Sequence, residues 1–284
     1  MRCTKKCRRR SSINRAPDRL VTVTSPHPEL LQLFDEHVRR NSTVDGSGSV
    51  LSVGPTFLRW AASNGVGWSE VMWTSLTDAS VDDAIAQHVE FYTSQDLHFI
   101  WSVYDYDLPV DLASRLERAG FSLSATSAVM IADVSRVAGE PQLPAGVTLQ
   151  RIHDAAGVDL LIQVHESVFG HSQQDLRRAL VRRLDVAPHE MEMFVVLTDS
   201  GEPVSSSRIE FVPGSDFAAL WGGSTEPEWR GQGLYRAQTV HRAQLARERG
   251  YRYLMVLASA NSQPILSTLG FERVTGVRRY SYPE

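Results

Sequence analysis

The chain has 284 residues, 42% of them hydrophobic and 22% charged, an ordinary globular composition with enough apolar material for one large domain or two smaller ones. Its 29 Lys and Arg oppose 33 Asp and Glu for a formal charge of −4, yet seven of the basic residues and none of the acids lie in the first 17 positions. Without that stretch 22 basic residues face 33 acids, a formal −11, which argues against non-specific nucleic-acid binding by the folded body and suits a cationic or amine ligand better. The two cysteines, Cys3 and Cys7, both sit in the basic stretch, so neither a disulfide framework nor a four-cysteine zinc site can be built. No run of the sequence approaches ~18 uninterrupted apolar residues. A reducing, cytoplasmic setting is expected, without metal or membrane involvement, and with residues 1–18 as a disordered basic tail.

Beyond the tail, Leu30, Leu31, Phe34 and Val38 have helical spacing, and NSTVDGSGS follows as a flexible loop. A second helical stretch covers 80–92 through Val81, Ile85, Val89 and Tyr92. LHFIWSVY then reads as a buried strand, DLASRLERAG as a short helix ending at Gly120, and FSLSATSAVMIADV as further strand. VAGEPQLPAG, with two prolines and two glycines, reads as a linker, placed at 139–146. VTLQRI is a strand, 154–169 a helix, and QQDLRRALVRRL a second helix. MEMFVVLTD, PVSSSRIEFV and FAALWGGST follow as three hairpin-connected strands. A helix from Leu234 to Arg249 ends at Gly250, YLMVLAS is the next strand, and a short helix precedes Leu269-Gly270-Phe271 and the last strands. The order predicts an α/β sandwich with a mixed sheet. HFIWSVY, a helix and LERAGF echo YLMVLAS, a helix and LSTLGF, which suggests a duplicated unit.

The segment 220–236, LWGGSTEPEWRGQGLYR, carries the chemistry. A strand ends at Gly222-Gly223-Ser224-Thr225, Pro227 blocks its continuation, and Arg230-Gly231-Gln232-Gly233 opens a helix at Leu234. Such a turn aims unpaired N–H groups outward at a helix N-terminus, where the macrodipole favours an anion. Arg230 and Arg236 flank it and would add charge-assisted hydrogen bonds, so a pyrophosphate is the expected guest. The turn follows three hairpin strands, unlike a dinucleotide-binding loop, and lacks the GK[ST] ending of a P-loop.

With these residues the sequence resembles the GNAT superfamily of N-acetyltransferases, whose pyrophosphate signature R/Q-x-x-G-x-G/A is filled by Arg230, Gly231, Gln232, Gly233, Leu234 and Tyr235, with Tyr235 replacing the last small residue. The resemblance covers 147–284 in element order and 220–271 in motif detail. It implies a GNAT-like mixed sheet flanked by helices, duplicated, with the acetyl-CoA site in the C-terminal unit. Gly223, Ser224 and Thr225 would bind the pantetheine amides of acetyl-CoA and stabilise the oxyanion, and residues 230–236 would hold the pyrophosphate. The implied strand splay would open a slot for the arm, with Gly222-Gly223 suited to a bulge. The tyrosine that many members use to protonate the leaving thiolate is replaced by Leu266, and the asparagine expected seven residues earlier by Ser259. Asn261 stands two residues out of register and is carried as a cofactor-site candidate. Glu210 is the candidate base, with an exposed strand carboxylate as its alternative.

Other residues read as structural. His165 suits a core edge, His241 and Arg242 a solvated helix face, and Arg177, Arg178, Arg182 and Arg183 a basic solvated face. Trp60, Trp68, Trp73 and Trp101 are expected to fill a core. Residues 19–138 lack an R-x-x-G-x-G match, SNGVG having no arginine before it, and read as a degenerate copy that shapes the acceptor pocket; 147–284 would be the catalytic unit. The expected activity is direct acetyl transfer from acetyl-CoA to a small-molecule or peptide amine. The alternative is a CoA-binding protein without turnover.

Overall fold

The computed structural model describes residues 25–42 and 46–283; the basic segment with Cys3 and Cys7 lies outside them. The first half runs through α1 (Pro28–Phe34), a π-helical continuation (Asp35–Arg40), β1 (Val50–Val53), β2 (Phe57–Ala61), β3 (Glu70–Thr74), α2 (Val81–Thr93), β4 (Phe99–Tyr104), α3 (Leu112–Arg118) and β5 (Ser122–Asp133). The second follows with β6 (Val147–Ile152), α4 (Ala155–Phe169), α5 (Gln174–Val186), β7 (Met191–Thr198), β8 (Pro203–Phe211), β9 (Phe217–Thr225), a 3-10 turn (Pro227–Trp229), α6 (Leu234–Glu248), β10 (Tyr253–Ala258), α7 (Gln263–Thr268) and β11 (Glu272–Tyr282). Residues 138–146 between them carry no helix or strand. The segment 50–74, in which periodicity alone identifies no element, forms the β1–β3 meander. Its strands are short, and Asn64 and Gly65, both at positive φ, turn one hairpin.

All the strands join one eleven-stranded mixed sheet in the order β1-β2-β3-β4-β11-β5-β10-β9-β8-β7-β6. Its centre is an exchange. β11 lies antiparallel between β4 and β5, and β5 lies antiparallel between β11 and β10. Outward from that centre the halves mirror each other: β4 pairs in parallel with β3, and β10 in parallel with β9, each followed by antiparallel neighbours. The structure thus carries the duplicated GNAT-like architecture, with the central strands of its two units interleaved.

Helices cover both faces of the sheet, so the central strands read as continuous apolar runs. In β5, Ala128, Met130 and Ala132 pack toward α6 and α7, and Val129 and Ile131 toward α1. α2 and α3 cover Trp101, Val103 and Tyr280 on the α6–α7 side. α4 and α5 cover Met191, Met193 and Val195 on the α1 side. Among the described residues, no helix is long and apolar enough to cross a membrane.

Neither half owns a complete sheet, which generates a test. Calorimetric unfolding of the whole chain is expected to show a single transition, and the fragments 25–146 and 147–284, expressed separately, to show no cooperative transition. Two resolved transitions in the whole chain would contradict this coupling.

Candidate functional site

β9 and β10 pair only from Tyr253↔Phe217 to Val256↔Leu220. Beyond that rung Trp221–Thr225 stay with β8 and Leu257–Ala258 with β5, so the sheet opens into a fork. A bulge bends β9 away. Ser207 of β8 faces both Gly222 and Gly223, and Gly222 takes φ +59, a backbone conformation that favours glycine.

Parting strands free polar backbone groups that need partners. The Arg242 guanidinium, buried on α6, donates to the carbonyls of Arg208 (3.0 Å) and Trp221 (3.5 Å). His165, buried on α4, lies 3.2 Å from the Gly222 carbonyl through Nε2. Burial and the neighbouring Arg208 push its pKa down to about 4, so the ring is neutral at pH 7 and its Nε2–H donates. Gln238 of α6 accepts from Ser207 Oγ (2.7 Å) and donates to Ser205 Oγ (2.7 Å), which donates to the Ser224 carbonyl (2.7 Å). The sequence reading places Arg242 in solvent. The structure buries it to 1% exposure because it caps the carbonyls of the bulge, and half-buries His241 edge-on against Phe194.

The turn after the fork is open. Arg230, Gly231, Gln232, Gly233 and Arg236 are exposed, Gly231 and Gly233 hold φ +75 and +87, and a Cβ at either would meet nothing within 4 Å. Gly233 is the N-cap of α6 and supplies no capping side chain, whereas Asp154 caps α4 by accepting from the Gly157 N–H at 2.8 Å. The N–H groups ahead of the first helical bond, Ala237 N–H to Gly233 carbonyl (2.9 Å), are left to solvent or a ligand. Arg230 braces the turn by donating from Nε to the Thr225 carbonyl (3.0 Å), Gln232 donates to the Glu228 carbonyl (3.0 Å), and Arg236 donates to Thr268 Oγ1 (3.0 Å). These groups could hold a pyrophosphate.

Around the fork, a Cβ on exposed Gly223 would lie 2.8 Å from the Tyr235 ring. Ser224 is buried, Thr225 half-buried, and Leu234 fixes the start of α6 from within the core. Asn261 is exposed in the turn between β10 and α7, and Leu266 is fully buried.

On the opposite face a cavity of about 370 Å³ lies between the halves, with Trp221 and Leu257, the first residues past the last paired rung, in its wall. Glu210 lines it, 2.9 Å from both Arg183 and Arg208 with its side chain 17% exposed, so it is a half-buried, paired carboxylate and not an exposed one. Burial raises its pKa, but the two guanidiniums outweigh that and hold it below the ordinary carboxylate value. Arg183, expected on a solvated face, is 2% exposed and turned inward, whereas Arg177 pairs with Asp159 on the surface. Trp101 and Trp60 are buried as expected, Trp60 also lining the cavity, and half-buried Trp68 lines it too. Among the described residues, no three His, Cys, Asp or Glu gather as a metal site.

The matching fork in the first half is filled. β3 and β4 pair only at Glu70↔Ile100 and Val71↔Trp101; beyond these the buried Arg39 donates to the Met72 carbonyl (3.3 and 3.1 Å) and lies 3.8 Å over the Tyr104 ring. The following helix, α2, begins with Asp82 and Asp83, and Arg115 pairs with Asp78 (3.4 Å) and Asp82 (2.9 Å). That helix start repels an anion.

No protein-family model matches the sequence, and no curated protein matches it. Solved structures do resemble the chain. A GCN5-related N-acetyltransferase from Kribbella flavida superposes with a TM-score of 0.64 at 15% identity, over 92% of this chain and 97% of that one. One from Sphaerobacter thermophilus gives 0.59 at 14%, over 89% and 84%. A tandem GNAT protein from the clavulanic acid biosynthesis pathway gives 0.55 at 14%, over 82% and 83%. These likenesses show that the chain has the GNAT fold, in an arrangement consistent with the tandem form.

The neutral His165 predicts acid lability at the fork. Its pKa of about 4 in the folded state lies below the ordinary 6.5, so the unfolded chain binds the proton first and stability falls as pH drops from about 6.5 to 4. Buried His88, also pushed to about 4 by burial and Arg59, acts in the same window. Each contributes a slope of up to about 1.4 kcal/mol per pH unit. Urea titrations at pH 7.5 and 5 should show the loss, and His165→Gln, which retains a donor for the Gly222 carbonyl, should reduce the slope.

Proposed function

We propose that the chain is an N-acyltransferase that moves an acetyl group from acetyl-CoA to a primary amine by direct attack. The observation that carries this reading is the β9–β10 fork: an open, uncapped glycine turn follows one of its strands, and a cavity meets it from the opposite face. Residues 147–284 would be the catalytic unit and 19–138 a degenerate copy whose cofactor slot is taken by Arg39, joined through 139–146.

The N–H groups of residues 231–236 would receive the pyrophosphate, with Arg230 and Arg236 alongside. The edge of β9 released from β10, Gly223 to Thr225, would take the pantetheine amides. The acetyl carbonyl would then lie at the bulge, where a fixed N–H near Gly223 stabilises the oxyanion as the amine attacks. Collapse breaks the C–S bond, CoA leaves as thiolate, and the amide nitrogen gives its extra proton to water. Leu266 supplies no acid at the usual position, so positioning and backbone electrostatics carry the rate. The same substitution is what favours the second reading, a CoA-binding protein without turnover; steady-state release of free CoA from acetyl-CoA and an amine separates the two.

Glu210, the candidate base, is held ionised by two arginines, and its fit is electrostatic: it offsets one of the two positive charges of Arg183 and Arg208 beside the fork. Glu210→Gln is expected to destabilise the fold by about 1–3 kcal/mol by leaving buried charge unpaired, while the pH profile of kcat/KM keeps its shape. Loss of one limb of that profile would make Glu210 the proton acceptor. Gly233→Trp is expected to abolish the micromolar calorimetric binding of acetyl-CoA expected of the wild type, at a folding cost of about 1–2 kcal/mol from its positive φ. No binding to the wild type would overturn the proposal.

A further inference from the structure

The cavity beside the fork is walled by both halves of the chain, with Trp60, Trp68 and Tyr104 from the first and Phe211 and Trp221 from the second among its aromatic lining. Its charge is balanced internally. Arg183, Arg208 and Arg279 face Glu70, Glu190 and Glu210 on its walls; Arg183 and Arg208 pair with Glu210 at 2.9 Å, and Arg279 with Glu70 at 3.4 Å. The rest of the surface is dominated by carbon.

That combination selects among amines. A polyamine or an aminoglycoside needs several acceptors and a net acidic lining, because each buried ammonium or hydroxyl left unpaired is costly. Here the arginines cancel the carboxylates. A lysine on a folded protein needs an open groove, but α5 docks against the first half over this region: Arg178 Nε donates to the Gly65 carbonyl (3.1 Å), and a Cβ at Gly48 would come within 3.4 Å of the Arg182 side chain. Its size suits a small molecule, at the lower end of the roughly 300–1,000 Å³ typical of ligand pockets. Resting on the acyltransferase reading above, we infer that the acceptor is a small amine borne on a flat aromatic body. The tryptophan and tyrosine side chains pack its ring.

The test compares tryptamine and phenethylamine with spermidine, kanamycin and a lysine-containing peptide, using the full chain. Thiol release from acetyl-CoA measures transfer, and calorimetry without acetyl-CoA measures occupancy of the cavity. The aromatic amines are expected to exceed the others in kcat/KM by about 100-fold or more, two aromatic contacts' worth of binding energy. Trp68→Ala should raise their KM about tenfold with the acetyl-CoA Kd unchanged, and Trp68→Phe should recover most of the loss. Preference for spermidine, kanamycin or the peptide, or an unchanged KM in Trp68→Ala, would overturn the inference while leaving the acyltransferase reading intact. Aromatic amines that bind to the cavity without any thiol release would overturn that reading and retain the cavity's chemistry.

Discussion

Everything at the candidate site follows from two parallel strands that stop pairing. Had β9 and β10 continued in register past Leu220↔Val256, the sheet would be closed and the turn at 230–233 would lie beyond a sealed edge. An open fork is expensive, because a sheet edge inside a protein exposes carbonyls and N–H groups that neither water nor a neighbouring strand can reach. The chain answers on both faces at once: Arg242 rises from α6 to the carbonyls of Arg208 and Trp221, and His165 descends from α4 to that of Gly222. The glycine pair supplies the backbone freedom for the bend, and the side chains supply the hydrogen bonds the bend removes.

The first half shows what happens when the same opening is stopped from within. Arg39 reaches the Met72 carbonyl and stacks on Tyr104, with Asp35 and Asp107 compensating its charge. The two forks therefore differ in how their backbone is satisfied: in one by Arg242 and His165 from the two flanking helices, in the other by an arginine that also stacks on Tyr104. The duplicated fold repeats the parting of parallel strands in both halves but not the side chains that meet it.

Much of this was legible in the sequence, and the exceptions have a common cause. The glycine turn, the helices on either side of it and the apolar central strands are local patterns, and Arg230 through Tyr235 carry them in consecutive residues. What local pattern does not reveal is who meets whom. Arg242 and Arg183 sit on helices with ordinary polar periodicity, and only the bulge and Glu210, each more than 20 positions away, turn them inward. Trp60 and Trp68 suit a core by residue type alone; the cavity between the halves that they line exists only once both halves are placed. The strands of 50–74 were within reach, since Phe57–Ala61 and Glu70–Thr74 are rich in aromatic and β-branched residues flanked by glycine turns, but each is only five residues long.

The interleaving of β5 and β11 also bears on how the chain is made. A first domain ordinarily folds as it leaves the ribosome, before the second is synthesised. β4 ends at Tyr104, and the strand that covers its inner edge begins at Glu272. At about 5–20 residues per second that gap corresponds to roughly 10–30 s of translation. Throughout that interval the inner edge of β4 lacks its native strand, and β5 gains its first strand partner only when β10 appears at Tyr253, so the first half waits on the second for both of its central pairings.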